Sequence, residues 1–359
     1  LRSAEKKLVS TVCGSTWPNW GCYSRQFDFL PGFLSEKDNT PTPTLTMKNK
    51  RQRIIGLLLG LFIATSIQAQ TPSDAVMMGS RMLCVLFDYN QGRFDQYWEG
   101  PNLRENQTIA TVRSTTVLGM AAIGISNNLN VYVGLPHITT ESSTPNGGKF
   151  AGVSAFQDFT LAVKYKAYQK DFENGQLRIL GTIGFSAPST NYLADYRPYA
   201  IGNGAPELTY RGIFQFKHNN GMYARLAGTY IWRGYSEAER EYYYNNGSYY
   251  TTWMDVPNAV TVEGVLGSWF MDNALQVELS YLSSTSLSGD DIRAYNAAQP
   301  TNKVNWGRVG ALAHYYIKSV EGLGFVAYYN QNVSGRNAPK MSTMGVGITY
   351  FFNFLKPKS

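Results

Sequence analysis

From residue 81 onward, apolar and polar residues alternate with period two over stretches of about ten residues, each closed by a turn, which is the signature of β-strands with two chemically distinct faces. Leu208, Tyr210, Gly212, Phe214 and Phe216 share one face, and Thr209, Arg211, Gln215 and Lys217 share the other. After the turn Asn219-Asn220-Gly221 the pattern returns, with Met222, Ala224, Leu226, Tyr230 and Trp232 against Arg225, Thr229 and Arg233, so the two segments form a hairpin. Extended along the chain, this reading predicts twelve strands, near 81–90, 109–126, 130–138, 157–170, 176–187, 207–218, 222–234, 258–270, 274–287, 306–319, 323–335 and 343–354. Tight turns (Asn127-Asn128, Asp171 to Gly175, Asn219 to Gly221, Met271 to Asn273, Val320 to Gly322) alternate with mostly long loops.

An even strand number with short turns at one end and long loops at the other is the plan of a transmembrane barrel. A soluble β-sandwich also alternates, so the aromatic pattern decides between them. Phe185, Tyr230, Trp232, Trp269, Phe270, Tyr281, Tyr315, Phe352 and Phe354 recur near strand ends, as expected of girdles at two membrane interfaces. The last strand, with Met344, Val346, Ile348, Tyr350, Phe352 and Phe354 in one row, has the aromatic-ended form common among outer-membrane barrels. The predicted fold is all-β: an antiparallel transmembrane barrel of about twelve strands over 81–354. Residues 71–80 form a short periplasmic N-terminal segment that can enter the lumen, and 355–359 form a C-terminal tail.

The first 70 residues follow a different logic. Lys48, Lys50, Arg51 and Arg53 precede the apolar stretch Ile54 to Ile67, and Ser66-Ile67-Gln68-Ala69 resembles a cleavage site, so 47–70 reads as a signal peptide starting at Met47. The apolar stretch is shorter than the ~20 residues that span a bilayer as a helix. Residues 1–46 then read as an upstream extension that is not translated. The leader also holds nine Lys/Arg against four Asp/Glu, so the chain's net charge of +7 falls to +2 beyond residue 70.

No catalytic chemistry is visible. Beyond the leader Cys84 stands alone, and His137, His218 and His314 lack metal-ligand spacing. Phosphate-loop and nucleophile-elbow patterns are missing, so neither catalytic residue, cofactor nor metal is expected, and nucleic acid is not an expected partner. The polar faces of the strands supply candidate lumen-lining residues instead: Lys164, Lys166, Arg178, Arg211, Lys217, Arg225, Arg233, Glu263, Glu278, Arg308, His314 and Lys318. That face is predominantly basic and predicts attraction of anions. The external connection from Tyr235 to Pro257 concentrates Tyr242, Tyr243, Tyr244, Tyr249, Tyr250 and Trp253, whose rings suit capture of amphipathic or aromatic molecules or a lid over the mouth.

Two stretches carry a family resemblance. Ile125-Ser126-Asn127-Asn128-Leu129-Asn130-Val131-Tyr132-Val133-Gly134-Leu135-Pro136 resembles the turn and strand ending Gly-Leu-Pro of the meta-pathway phenol-degradation proteins, relatives of the long-chain fatty-acid (FadL-like) outer-membrane transporters. Phe156-Gln157-Asp158-Phe159-Thr160-Leu161-Ala162-Val163-Lys164-Tyr165-Lys166 is similar to their Gly-x-Gly-Asp segment ending in Lys-Tyr, with Gln157 where the family often has Gly. The family's Pro-Thr-Gly pattern here stands as Pro188-Ser189-Thr190-Asn191.

The resemblance implies passive movement of small, often hydrophobic molecules across the outer membrane. With the basic lumen, the expected function is uptake of small hydrophobic or amphipathic anionic organic molecules in the outer membrane of a Gram-negative bacterium, with both termini periplasmic. Outer-membrane lipid, small organic solutes and the barrel-assembly machinery are the expected partners. The alternative is a structural or surface-interaction barrel with a closed lumen, because twelve strands lie between side-chain-filled barrels and open porins.

Overall fold

Each strand's inner residues meet like residues of the next strand, and the sheet formed this way closes on itself. The computed structural model describes residues 71–107, 110–142, 150–292 and 298–353. The expected signal peptide and upstream extension, Phe354 and residues 355–359 lie outside the described residues. The wall strands are β1 (Met82–Phe94), β2 (Val112–Ser126), β3 (Leu129–Ser142), β4 (Phe150–Phe156), β5 (Asp158–Phe172), β6 (Gly175–Pro188), β7 (Glu207–His218), β8 (Met222–Arg233), β9 (Ala259–Phe270), β10 (Leu275–Ser286), β11 (Asn305–Tyr316), β12 (Leu323–Arg336) and β13 (Ser342–Asn353). All pairings in the wall are antiparallel, and β1 closes the barrel by pairing with both β2 and β13 in continuous register from Met82↔Asn353 to Arg93↔Ser342.

The result is a closed twelve-stranded barrel with one extra strand, β4. Sequence patterning places residues 139–156 in a loop, whereas β4 extends the β3 hairpin above the wall. Its break from β5 has a local cause. Pro136 has no N–H to offer the ladder, the Gln157 N–H bonds to Pro136 O at 2.9 Å, and the register steps by one residue between His137↔Phe156 and Gly134↔Thr160. Residues 189–206 pack on this extension through Tyr192, Ala194 and Ile201, while Thr140 Oγ1 donates to Tyr199 O at 2.7 Å and Tyr192 donates to Asp158 Oδ1 at 2.6 Å.

The two faces are inverted relative to a soluble protein. Outside lie Phe87 (65% exposed), Leu226 (56%), Leu266 (67%) and Leu279 (63%), while Lys164, Arg225 and Glu278 are buried within. Exposing a continuous apolar band while burying charge is unfavourable in water and favourable in lipid, where the closed ladder leaves no backbone edge unsatisfied. The girdle is present at Phe185, Tyr230, Trp232, Phe270, Tyr281, Tyr315 and Phe352, all outward-facing and exposed. Trp269 is a correction. It alternates inward, is buried, and stacks on Tyr316 at 6.2 Å, because Phe270 rather than Trp269 takes the outward position at the end of β9.

The tight turns close as the sequence suggests. Gly221 (φ +95°) and Gly322 (φ +87°) adopt left-handed backbone, and an added Cβ would meet Trp269 O at 2.8 Å and Phe351 O at 2.4 Å. At the other end the long loops are tied together. Asn337 Oδ1 accepts from Gly100 N at 2.8 Å and Ile292 N at 3.1 Å, and its amide donates to Asp291 Oδ1 and Lys303 O, both at 2.8 Å. One buried side chain thereby joins three loops.

Candidate functional site: the occluded lumen

The N-terminal segment Thr71–Met78 lies inside the barrel, crossing from β1–β3 toward β5–β8. Its apolar residues find apolar inward positions: Ala75 packs with Leu180, Ile213 and Ala227, and Met78 with Cys84, Ala122 and Tyr132. Its backbone carbonyls, which have no strand partner, are met by wall side chains. Lys164 Nζ donates to Thr71 O (2.7 Å), Asp74 O (3.0 Å) and Val76 O (3.0 Å) and pairs with Asp74 Oδ1 at 2.9 Å. Thr182 Oγ1 donates to Pro72 O at 3.1 Å and Arg211 Nη2 to Ser73 O at 3.4 Å. A fully buried ammonium is tolerated only when its protons are so occupied.

The charged inner wall is organised in pairs. Arg211 pairs with Glu263, and Arg225 pairs with Glu278 at 3.1 Å, with Tyr223 donating to the same carboxylate at 2.6 Å. Asp88 accepts from Tyr328 (2.8 Å) and Asn90 (3.0 Å). Arg308 instead stacks its guanidinium over Trp306 at 5.2 Å. His314 is buried between Tyr316, whose ring lies 4.2 Å away, and Thr349 Oγ1 at 3.1 Å from its Nε2. Beside the N-terminal segment these groups enclose a chamber of about 330 Å³. Arg225 and Arg308 line it together with Asp74, Asp88, Glu263 and Glu278; Leu86, Leu118, Met120, Leu312 and Val326 form an apolar side.

Several candidate residues stand elsewhere than the sequence pattern suggests. Lys318 lies beyond β11, in a turn, paired with the exposed Asp272 at 2.8 Å, and does not line the lumen. Lys318 holds the Asp272 carboxyl below the usual carboxylate range. Arg233 is tied to Glu207 at 2.7 Å and to Pro257 O at 3.0 Å, where it anchors a loop at the barrel rim. Lys166, Arg178 and Lys217 face inward toward the short-turn end, away from the chamber. Around the N-terminal segment Asp74, Asp88, Glu263 and Glu278 balance Lys164, Arg211, Arg225 and Arg308, and the basic excess of the inner wall lies with Lys166, Arg178 and Lys217 toward the short-turn end. Asp88 is legible in hindsight, since it alternates between outward Phe87 and Tyr89. Asp74 is not, because nothing in the segment's pattern reveals its depth in the barrel.

In the external aromatic loop, Tyr242, Tyr249, Tyr250 and Trp253 are exposed, Tyr250 by 83%. Tyr243 is buried against Ala238 and Met254 and stacks on Tyr249 at 5.1 Å, so it is a core residue of the loop. Tyr244 O accepts from Gln299 Nε2 at 2.6 Å, which joins this loop to 287–304. No group of potential metal ligands occurs among the described residues.

No family model matches the chain, and no curated protein matches it. Among solved structures, the COG4313 outer membrane channel from Pseudomonas putida F1 is similar with a TM-score of 0.59 and 14% identity, covering 79% of this chain and 100% of that one. The translocator domain of the autotransporter NalP from Neisseria meningitidis (TM-score 0.41, 14% identity, 84% and 94% covered) and the NanC porin (0.43, 9%, 74% and 98%) are more distant. The chain thus has the fold of an outer-membrane β-barrel of the kind seen in the Pseudomonas channel.

Proposed function

We propose that the protein is a passive outer-membrane channel for small hydrophobic or amphipathic anionic organic molecules, with its short turns and both termini in the periplasm. The observation that carries the reading is the chamber beside the N-terminal segment, where an apolar wall faces a guanidinium, Arg308, that no carboxylate engages at ion-pair distance. Its volume falls in the range of small-molecule sites, ~300–1,000 Å³. An amphipathic acid would lay its apolar body on Leu118, Met120 and Leu312 and its carboxylate toward Arg308. The kinship with phenol-pathway transporters belongs to the same proposal, as does delivery to the membrane by a signal peptide and the barrel-assembly machinery.

In this reading Thr71–Met78 is a stopper that must shift for solute to pass. It holds no strand register and is fixed by side chains. A structural barrel with a closed lumen would use the same plug permanently. Planar-bilayer conductance and liposome swelling with benzoate separate the two: flux that rises when residues 71–78 are deleted supports a channel, and a barrel that stays impermeable without them overturns it.

A further inference from the structure

Three inward-facing cations near the short-turn mouth have no carboxylate at ion-pair distance. Arg178 on β6 pairs with Gln215, and its neighbour two positions away, Gln176, pairs with Lys217 on β7. Arg178 and Lys217 are therefore diagonal neighbours on one face, and Lys166, paired with Leu180, stands diagonally on the other side of Arg178. Such diagonals are roughly 7–8 Å apart, and like charges so placed repel.

The groups these side chains touch are neutral. Lys166 Nζ donates to Gln169 Oε1 at 3.1 Å, Lys217 Nζ lies 5.4 Å from the centre of the Trp269 ring, and the buried Nε of Arg178 has no hydrogen-bond partner. Asp171, paired with Gln176 and so also a diagonal neighbour of Arg178, accepts from Gln176 Nε2 at 2.5 Å and attracts Arg178 and Lys166 without reaching ion-pair distance, one carboxylate against three cations. Lys164, Arg211 and Arg225 each have a carboxylate partner; here three cations gather with none at that distance, and Arg178 Nε, like Arg211 Nε and Arg225 Nε, is buried without a hydrogen-bond partner. An oxyanion between them would remove the repulsion and give the Arg178 fork a planar acceptor.

We propose that Lys166, Arg178 and Lys217 form an anion-binding site at the short-turn mouth that takes the carboxylate or phosphate-like group of a small solute. The site deepens the channel reading and rests on it for its role, as the place where an anionic solute is held between the chamber and the periplasm.

Equilibrium dialysis of the detergent-solubilised full-length chain against radiolabelled inorganic phosphate, with benzoate as competitor, tests it. The expected result is one saturable phosphate per chain, displaced by benzoate and weakened at least tenfold in the combined variant Lys166→Gln, Arg178→Gln, Lys217→Gln. Should that variant not fold, Lys217→Gln alone is expected to weaken binding at least threefold. Equal binding by wild type and variant, or no saturable binding by wild type, overturns the site. Dialysis needs no flux, so bound phosphate in a barrel that never conducts would sink the channel reading alone, and conductance without bound phosphate would sink the site alone.

Discussion

The Lys164 ammonium, wholly buried in the barrel wall, lies 2.9 Å from the Asp74 carboxylate of the N-terminal segment and donates to no other charged group. Removing one member of a buried pair commonly costs about 3–5 kcal/mol, because the other charge is stranded. Asp74 has an escape that a wall residue lacks, since its segment can leave the lumen for water. Lys164→Met is therefore expected to expel residues 71–78 while leaving the barrel folded. Added protease should cut the segment in the variant and spare it in wild type, and conductance should rise. A protected segment with unchanged conductance would mean that apolar packing at Ala75 and Met78 holds the plug unaided.

Arg308→Gln is expected to reduce flux of benzoate about tenfold relative to benzyl alcohol, since loss of one charge-assisted hydrogen bond is worth about 1.5–3 kcal/mol. Liposome swelling with the two solutes measures the ratio. A ratio that does not change places solute selection elsewhere than the chamber.

Leu226→Arg is expected to destabilise the barrel by about 2–4 kcal/mol, the cost of a cation on the lipid face near the midplane. The inward control is Asn330→Arg, at a half-buried position lining the chamber, which should cost much less. Thr229 is unsuitable as that control, because it is 8% exposed and accepts a hydrogen bond from Arg211 at 3.0 Å. Urea unfolding in lipid vesicles checks the pair, and equal losses would reverse the facing of β8.

Met271 (φ +54°), Asp272 (φ +57°) and Asn273 (φ +63°) form a turn of three consecutive left-handed residues. Met271 bears the least suitable side chain for that backbone and is exposed, so Met271→Gly is expected to stabilise the barrel by up to about 1 kcal/mol. The same urea titration measures it, and a loss of stability would show that the methionine contributes more at the interface than its backbone costs.

Replacing exposed Tyr242 and Tyr250 by serine should slow uptake of hydrophobic solutes and spare hydrophilic ones if these rings capture substrate. Their ring centroids lie 5.2 Å apart, away from the buried Tyr243, so the loop's own packing is preserved. Faster swelling with both solute classes would identify a lid instead.

The sequence by itself determined the wall. Period two fixes which face each residue takes, so the pairing of Leu208–Phe216 with Met222–Trp232 and the short turns at Asn219–Gly221 and Val320–Gly322 were legible, and strand ends agree to within a few residues. Alternation also shows which side is polar, but not what meets there, because partners such as Arg225 and Glu278 are 53 residues apart and are joined only when β9 pairs with both β8 and β10 and sets them on one inner face. The tertiary structure alone decided that Asp74 balances Lys164 and that Asn337 joins three loops. Each depends on closure: a flat sheet with the same register would leave the N-terminal segment unburied, and a closed one gives its carbonyls a ring of donors.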